Sequence, residues 1–198
     1  MKCLKWFKTV LAIFLILLIN KSVFSESSFV ILENGISYFD INNDGVKDVA
    51  IVGEYTTTFG GNIFKAYSFY LKEGNRGLLS YVPIYSDKSW ETAVIYTYSK
   101  VGGCGSKFNK KEITNISGLR IIKIGNETYL VYLNKKCRQP QNLINGKCKF
   151  GADIYKYDDE DRAFVKYKKM KISHPHCDAE EVFKFKMSEI LSFIKGEW

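Results

Sequence analysis

The chain has 198 residues, 46% of them hydrophobic, and a formal net charge of +8. That balance excludes a disordered polyelectrolyte and is enough for one folded domain with a sizeable core. Half of the positive excess comes from Lys2, Lys5, Lys8 and Lys21 at the N-terminal end, so charge gives no ground for a nucleic-acid partner, and no nucleic-acid motif is present.

Residues 1–25 read as a secretory signal peptide. Lys2, Lys5 and Lys8 precede an apolar run from Val10 to Ile19, and Val23-Phe24-Ser25 offers small or β-branched groups for cleavage after Ser25. The run is shorter than the roughly 20 residues of a spanning helix; an uncleaved anchor is the alternative. Cys3 lies before the run and is not a lipoprotein cysteine. The expectation is a periplasmic or secreted protein, residues 26–198 forming a single domain, with no membrane attachment after cleavage.

Strand patterns then follow one another. Phe29 to Leu32 and Ile36 to Phe39 come first, then Asp48 to Tyr55, Ala66 to Lys72, Leu78 to Ile84 and Ala93 to Tyr98. Leu119 to Ile124, Thr128 to Leu133, Ala152 to Tyr157 and Ala163 to Lys168 complete the series. β-Branched and aromatic residues recur in them with a period of two, as a half-buried pleated surface requires. Between Ala66 and Lys72, for example, Tyr67, Phe69 and Leu71 alternate with Ser68, Tyr70 and Lys72. Gly125-Asn126-Glu127 and Asp158-Asp159-Glu160-Asp161 read as hairpin turns. One helix is predicted over 178–195. Asp178 with Glu181 makes a capping box, Val182, Phe185, Leu191 and Ile194 line one face, and Lys195-Gly196 close it. The fold class is therefore mainly β: a single antiparallel β domain, a sandwich or a propeller-like meander, with a C-terminal α-helix. No internal repeat supports a complete propeller.

The run Asp40-Ile41-Asn42-Asn43-Asp44-Gly45-Val46-Lys47-Asp48 carries the strongest chemical signal. Side-chain oxygens recur at positions 1, 3, 5 and 9, the main chain of Val46 stands at position 7, and a glycine at position 6 permits the turn. Alternate oxygen donors around a tight turn suit a hard cation such as Ca²⁺. Asp40, Asn42, Asp44, Val46 and Asp48 are thus the candidate metal ligands. The EF-hand pattern is incomplete, because Ile51 stands where a bidentate Glu belongs and strands rather than helices flank the loop. The strand–turn–strand setting resembles the calcium loop of the FG-GAP class. A plain Asn-Asp-Gly hairpin without metal is the competing reading.

Beyond Cys3, the cysteines are Cys104, Cys137, Cys148 and Cys177, an even number that in an exported chain points to two disulfides. The turn-rich segment between Cys137 and Cys148 favours a local bridge there, which leaves Cys104 with Cys177. No C-x-x-C pair supports zinc. The two histidines form His174-Pro175-His176-Cys177, which is either a Cu or Zn half-site or an exposed turn beside a disulfide. Gly102-Gly103-Cys104-Gly105 is either an anion-binding nest or the slack that lets Cys104 reach its partner. No G-x-S-x-G, S-x-x-K set or H-E-x-x-H is present, so no catalytic residues are assigned. Tyr55, Phe64, Tyr67, Tyr70 and Trp90 are candidates for an exposed recognition surface, with burial in the core as the alternative for those that alternate.

The acidic loop within Ile36 to Val52, the strand Phe64 to Leu71, Val82-Pro83-Ile84, Gly102-Gly103-Cys104 and Leu119 to Ile124 follow one another in an order that resembles the carbapenem self-resistance proteins. The resemblance covers roughly Ile36 to Lys136. It implies an exported protein that protects without hydrolysing the antibiotic. The functional expectation is a non-enzymatic exported binding or protective protein with a calcium-stabilised loop, contributing to β-lactam self-resistance by binding an envelope or secreted protein. The alternatives are an inhibitor or immunity protein for a secreted lytic enzyme, and a metal-dependent envelope hydrolase using His174 and His176 or the acidic cluster.

Overall fold

The computed structural model describes residues 27–57, 62–74, 77–87, 90–92, 94–101, 113–138 and 146–197. The predicted signal segment, Cys104 with its flanking glycines, and most of the turn between Cys137 and Cys148 lie outside the described residues. In chain order the strands are β1 (Ser27–Val30), β2 (Gly35–Phe39), β3 (Asp48–Thr56), β4 (Asn62–Glu73), β5 (Leu78–Tyr81), β6 (Ile84–Asp87), β7 (Trp90–Thr92) and β8 (Ile95–Val101). They continue with β9 (Ile113–Asn115), β10 (Ser117–Ile124), β11 (Glu127–Lys136), β12 (Lys149–Asp158) and β13 (Ala163–Lys171), and the chain closes with helix α1 (Ala179–Lys195).

The strands form two sheets. One has seven strands in the order β1-β10-β11-β12-β13-β6-β7; the other has six, β2-β3-β4-β8-β9 with β5 on β4. The seven-stranded sheet is covered on both faces. Leu119, Ile121, Leu130, Tyr155 and Phe164 point at the six-stranded sheet and meet Phe39, Val52, Tyr67, Phe69 and Leu71. Ile122, Val131, Ile154 and Met170 point the other way and meet Val182, Phe183, Ile190 and Ile194 of α1. This double burial explains why six of the eight residues of β10 are buried and why Ile121 and Ile122, which face opposite ways, are both apolar, a pattern that a sheet wetted on one face does not produce. Fully burying the four helix side chains contributes roughly 6–12 kcal/mol of gross transfer free energy. The approach is close enough to require glycine at 118: a Cβ there would lie 2.9 Å from Ala179 Cβ and 3.0 Å from Phe183 Cε2.

Mainly β with one C-terminal helix is therefore the architecture, and three predicted details change. The expected strand Leu78–Ile84 is broken at Val82-Pro83, where the chain leaves β5 in one sheet and enters β6 in the other. Pro83 has no N–H to donate to a ladder, and its carbonyl instead accepts from Phe164 N at 2.8 Å. β6 then runs parallel to β13 through Ile84↔Phe164 and Tyr85↔Val165, so the domain is not wholly antiparallel. On α1, Phe185 is 62% exposed while Ala179 and Phe183 are buried. At about 100° per residue, Phe185 falls well off the buried stripe, and the apolar character of its side chain misled the pattern. The caps behave nearly as expected. Asp178 accepts from Glu181 N at 2.8 Å, while Glu181 reaches back to Cys177 N at 2.6 Å rather than to Asp178. Gly196 adopts φ 78°, and Lys168 Nζ donates to the last carbonyls of Phe193 and Ile194. No described helix is long and apolar enough to cross a membrane.

Candidate functional site

The acidic loop joins β2 to β3, whose pairing begins at Phe39↔Asp48. Asn43 at φ 62° and Gly45 at φ 84° supply the two left-handed residues of the turn, conformations that Asn and Gly tolerate best. The predicted ligands hold the loop together. Asp40 Oδ2 accepts from Gly45 N at 3.0 Å, Asn42 Oδ1 from Asp44 N at 3.3 Å, and Asp44 Oδ1 from Val46 N at 2.7 Å. Asp48 is fully buried. One of its oxygens accepts from Ile41 N at 2.7 Å and the other from Lys72 N at 2.9 Å. Burial pushes the Asp48 carboxyl above its ordinary value, the two amides oppose that rise, and Asp44 and Asp40 add to it through like charge.

Three residues of the other sheet clamp this loop and were not visible in its sequence. Lys123 Nζ donates to Asp40 O at 2.6 Å and to Asn43 Oδ1 at 2.7 Å. Thr128 Oγ1 donates to Ile41 O at 2.7 Å, and the Asn43 side chain donates to Asn126 O. Ile41 itself is buried between the sheets. The loop is thus the seam between the two sheets. Among the described residues no three His, Cys, Asp or Glu side chains are grouped as metal ligands. Asp40 Oδ1, however, is buried without a hydrogen-bond partner, a costly state for a carboxylate oxygen.

Cys137 and Cys148 form the expected disulfide. Cys177 is also disulfide-bonded; Cys104, the partner expected for it, lies outside the described residues. The histidines do not share a face. His174 is exposed beside Ser173 Oγ, whereas His176 is buried 3.6 Å from Glu181 Oε1 and bridges to Cys148 through its backbone. The strand-like pairing at Cys148 turns His176 inward, so a His174–His176 half-site is not assembled.

The outer face of the six-stranded sheet is a second candidate site. In register, Tyr55, Phe64 and Tyr98 form one rung across β3, β4 and β8, with ring centroids 5.1 Å apart at each step. Tyr38, Val49, Tyr70 and Tyr81 form another, and Ile36, Ile51 and Tyr96 lie between them. No charged residue interrupts these rungs. Tyr38, Tyr55, Tyr81 and Tyr96 are about half exposed or more (61%, 48%, 50% and 52%). Of the aromatics singled out in the sequence, Tyr55, Phe64 and Tyr70 belong to this face, and Tyr67 is core. The Trp90 side chain lies outside the described residues. Tyr38, Tyr81, Tyr96 and Tyr98 escape a sequence reading, because alternation marks two faces without saying which one is covered.

No family model matches the chain, and no curated protein matches it. Among solved structures, the fold is similar to the crystal structure of CarG, with a TM-score of 0.57 and 18% identity over 80% of this chain and 94% of that one. At that identity the likeness extends to the fold.

Proposed function

We propose that this is an exported, non-enzymatic binding protein that acts through the outer aromatic face of its six-stranded sheet, docking an envelope or secreted protein in a protective role against carbapenem-type β-lactams. The observation that carries the reading is the uncharged, tyrosine-rich face from Tyr38 to Tyr98. Apolar faces of this extent are normally covered, and tyrosine with depleted charge marks the centres of protein interfaces. The protective role rests on the resemblance of the strand series to the carbapenem self-resistance proteins, and the CarG-like fold is compatible with it.

The test is expression of the chain in a carbapenem-sensitive host. The wild type raises the inhibitory concentration while the antibiotic in the medium is not consumed. Tyr55→Ser/Tyr96→Ser keeps its melting temperature and loses protection. Antibiotic consumption would replace this reading with an enzyme, and no protection by the wild type would end it.

The acidic loop is proposed to take Ca²⁺ as a structural ion. Its donors are hard oxygens, and the unpartnered Asp40 Oδ1 is the atom that gains most. The ion would offset the mutual repulsion of Asp40, Asp44 and Asp48 and stabilise the seam by mass action. A thermal melt in EDTA and in millimolar Ca²⁺ tests this. A calcium-dependent rise that Asp44→Ala and Asp40→Asn abolish supports it; an unchanged rise in both variants refutes it.

A further inference from the structure

A recess of about 440 Å³ lies at the end of the seven-stranded sheet where β11, β12 and β13 meet, on the side that faces the six-stranded sheet elsewhere. Its floor is Gly151, and its rim is Lys136, Lys149, Lys169 and Lys171. The register makes this placement unavoidable. Lys136 stands directly opposite Lys149, and Lys171 directly opposite Gly151, so that three ammonium groups share one patch of one face. Like charges directly opposite one another across strands destabilise a sheet. Lys169 has an acidic neighbour, Asp153, at 3.7 Å. Lys136, Lys149 and Lys171 have no carboxylate within ion-pair distance among the described residues.

The glycine completes the site. A Cβ at 151 would lie 3.5 Å from Lys136 Cε and 3.6 Å from its Nζ, so the Lys136 side chain folds over the bare backbone of the floor. Lys149, Lys169 and Lys171 line the recess with Lys136, and all four are exposed, so the cations at its rim are open to a ligand from solvent. Elsewhere on the same sheet the cations are matched: Arg120 with Glu180, Lys156 with Glu127, and Lys168 with the carbonyl end of α1. An unmatched cluster beside matched ones is electrostatic strain that a bound anion would relieve.

We propose that this recess is a binding site for a multiply charged phosphate-type oxyanion. Three or four ammonium groups around a concave floor suit a compact group with several acceptor oxygens, which each lysine contacts as a point charge. The volume exceeds a single orthophosphate and accommodates a diphosphate or a phosphodiester on a larger body. The site is independent of the aromatic face and of the acidic loop, and its test does not depend on either.

The experiment is a calorimetric titration of the full chain, purified as the expressing host releases it, with inorganic pyrophosphate at about 20 mM and about 300 mM NaCl. The wild type binds, and more weakly at the higher salt. Lys149→Gln/Lys171→Gln weakens binding at least about tenfold, because two charge-assisted contacts are lost. The charge-matched control Lys72→Gln/Lys184→Gln, whose lysines lie elsewhere, changes it less than about twofold. Without ligand, Lys149→Gln/Lys171→Gln melts no lower than the wild type, since the change removes repulsion. Absence of binding to the wild type, or equal weakening in both double variants, overturns the site. Flotation with vesicles of phosphatidylglycerol and phosphatidylcholine separates the sources. Flotation that pyrophosphate competes away assigns the anion to a lipid headgroup; pyrophosphate binding without flotation assigns it to a soluble or polymer-borne phosphate.

Discussion

Replacing Asp48 with alanine tests whether the acidic loop is first a seam of the fold. Both Asp48 oxygens accept backbone N–H groups, from Ile41 on its own loop and from Lys72 on β4. Truncation leaves both donors without an acceptor at a fully buried position. Each orphaned donor costs about 1–3 kcal/mol. Part is offset, because a buried carboxylate beside Asp40 and Asp44 is itself unfavourable. The net expectation is a loss of about 2–5 kcal/mol, or a fall in Tm of roughly 5–20 °C for a domain of this size. Asp48→Asn retains one acceptor and loses about half as much. Asp44→Ala removes two bonds on the exposed turn, from Val46 N and from Asn42 Nδ2, and because water can replace both the loss is about 0.5–1.5 kcal/mol. Urea unfolding followed by far-ultraviolet circular dichroism, in EDTA, reads all three without any contribution from a metal. If Asp44→Ala costs as much as Asp48→Ala under those conditions, the assignment of Asp48 to backbone stitching is wrong.

Other changes have equally definite outcomes. Gly118→Ala forces α1 away from β10 and costs about 1–3 kcal/mol by urea unfolding, against the small gain a glycine-to-alanine change gives at an open site. Phe183→Ala loses about 3–5 kcal/mol, whereas Phe185→Ser stays within about 0.5 kcal/mol, a contrast that checks the helix face directly. Cys137→Ser/Cys148→Ser removes a bridge of sequence separation 11 and lowers stability by about 3 kcal/mol in the chain-entropy account. Burial, with Asp159 adding, pushes the Tyr157 hydroxyl up to about 12 from its ordinary 10.0. Its contribution is intact below pH 10 and is lost as pH rises through about 12, since the unfolded chain ionises first. Tyr157→Phe flattens that alkaline fall in the unfolding free energy.

Sequence alone determined the local structure. Alternation placed most strands, Gly125-Asn126 and the 158–161 acidic run gave their hairpins, and Asp178 with Gly196 bounded the only described helix. The acidic loop was recognised because its information is contiguous: donor spacing and a left-handed glycine are properties of nine neighbouring residues. Cys137 and Cys148 were paired for the same reason. Position 185 shows where this stops, since an aromatic residue reads as buried until the helix is docked. What only the tertiary structure decided is which surfaces meet. The chain changes sheet at Pro83, and Lys123, Asn126 and Thr128 arrive at the acidic loop from more than eighty residues away. Tyr67 and Tyr70, three residues apart on one strand, end on opposite faces, one in the core and the other on the aromatic surface. Period-two alternation names two faces and leaves them equivalent. The equivalence breaks only when the seven-stranded sheet buries one of them, and that choice depends on long-range packing that no local pattern encodes.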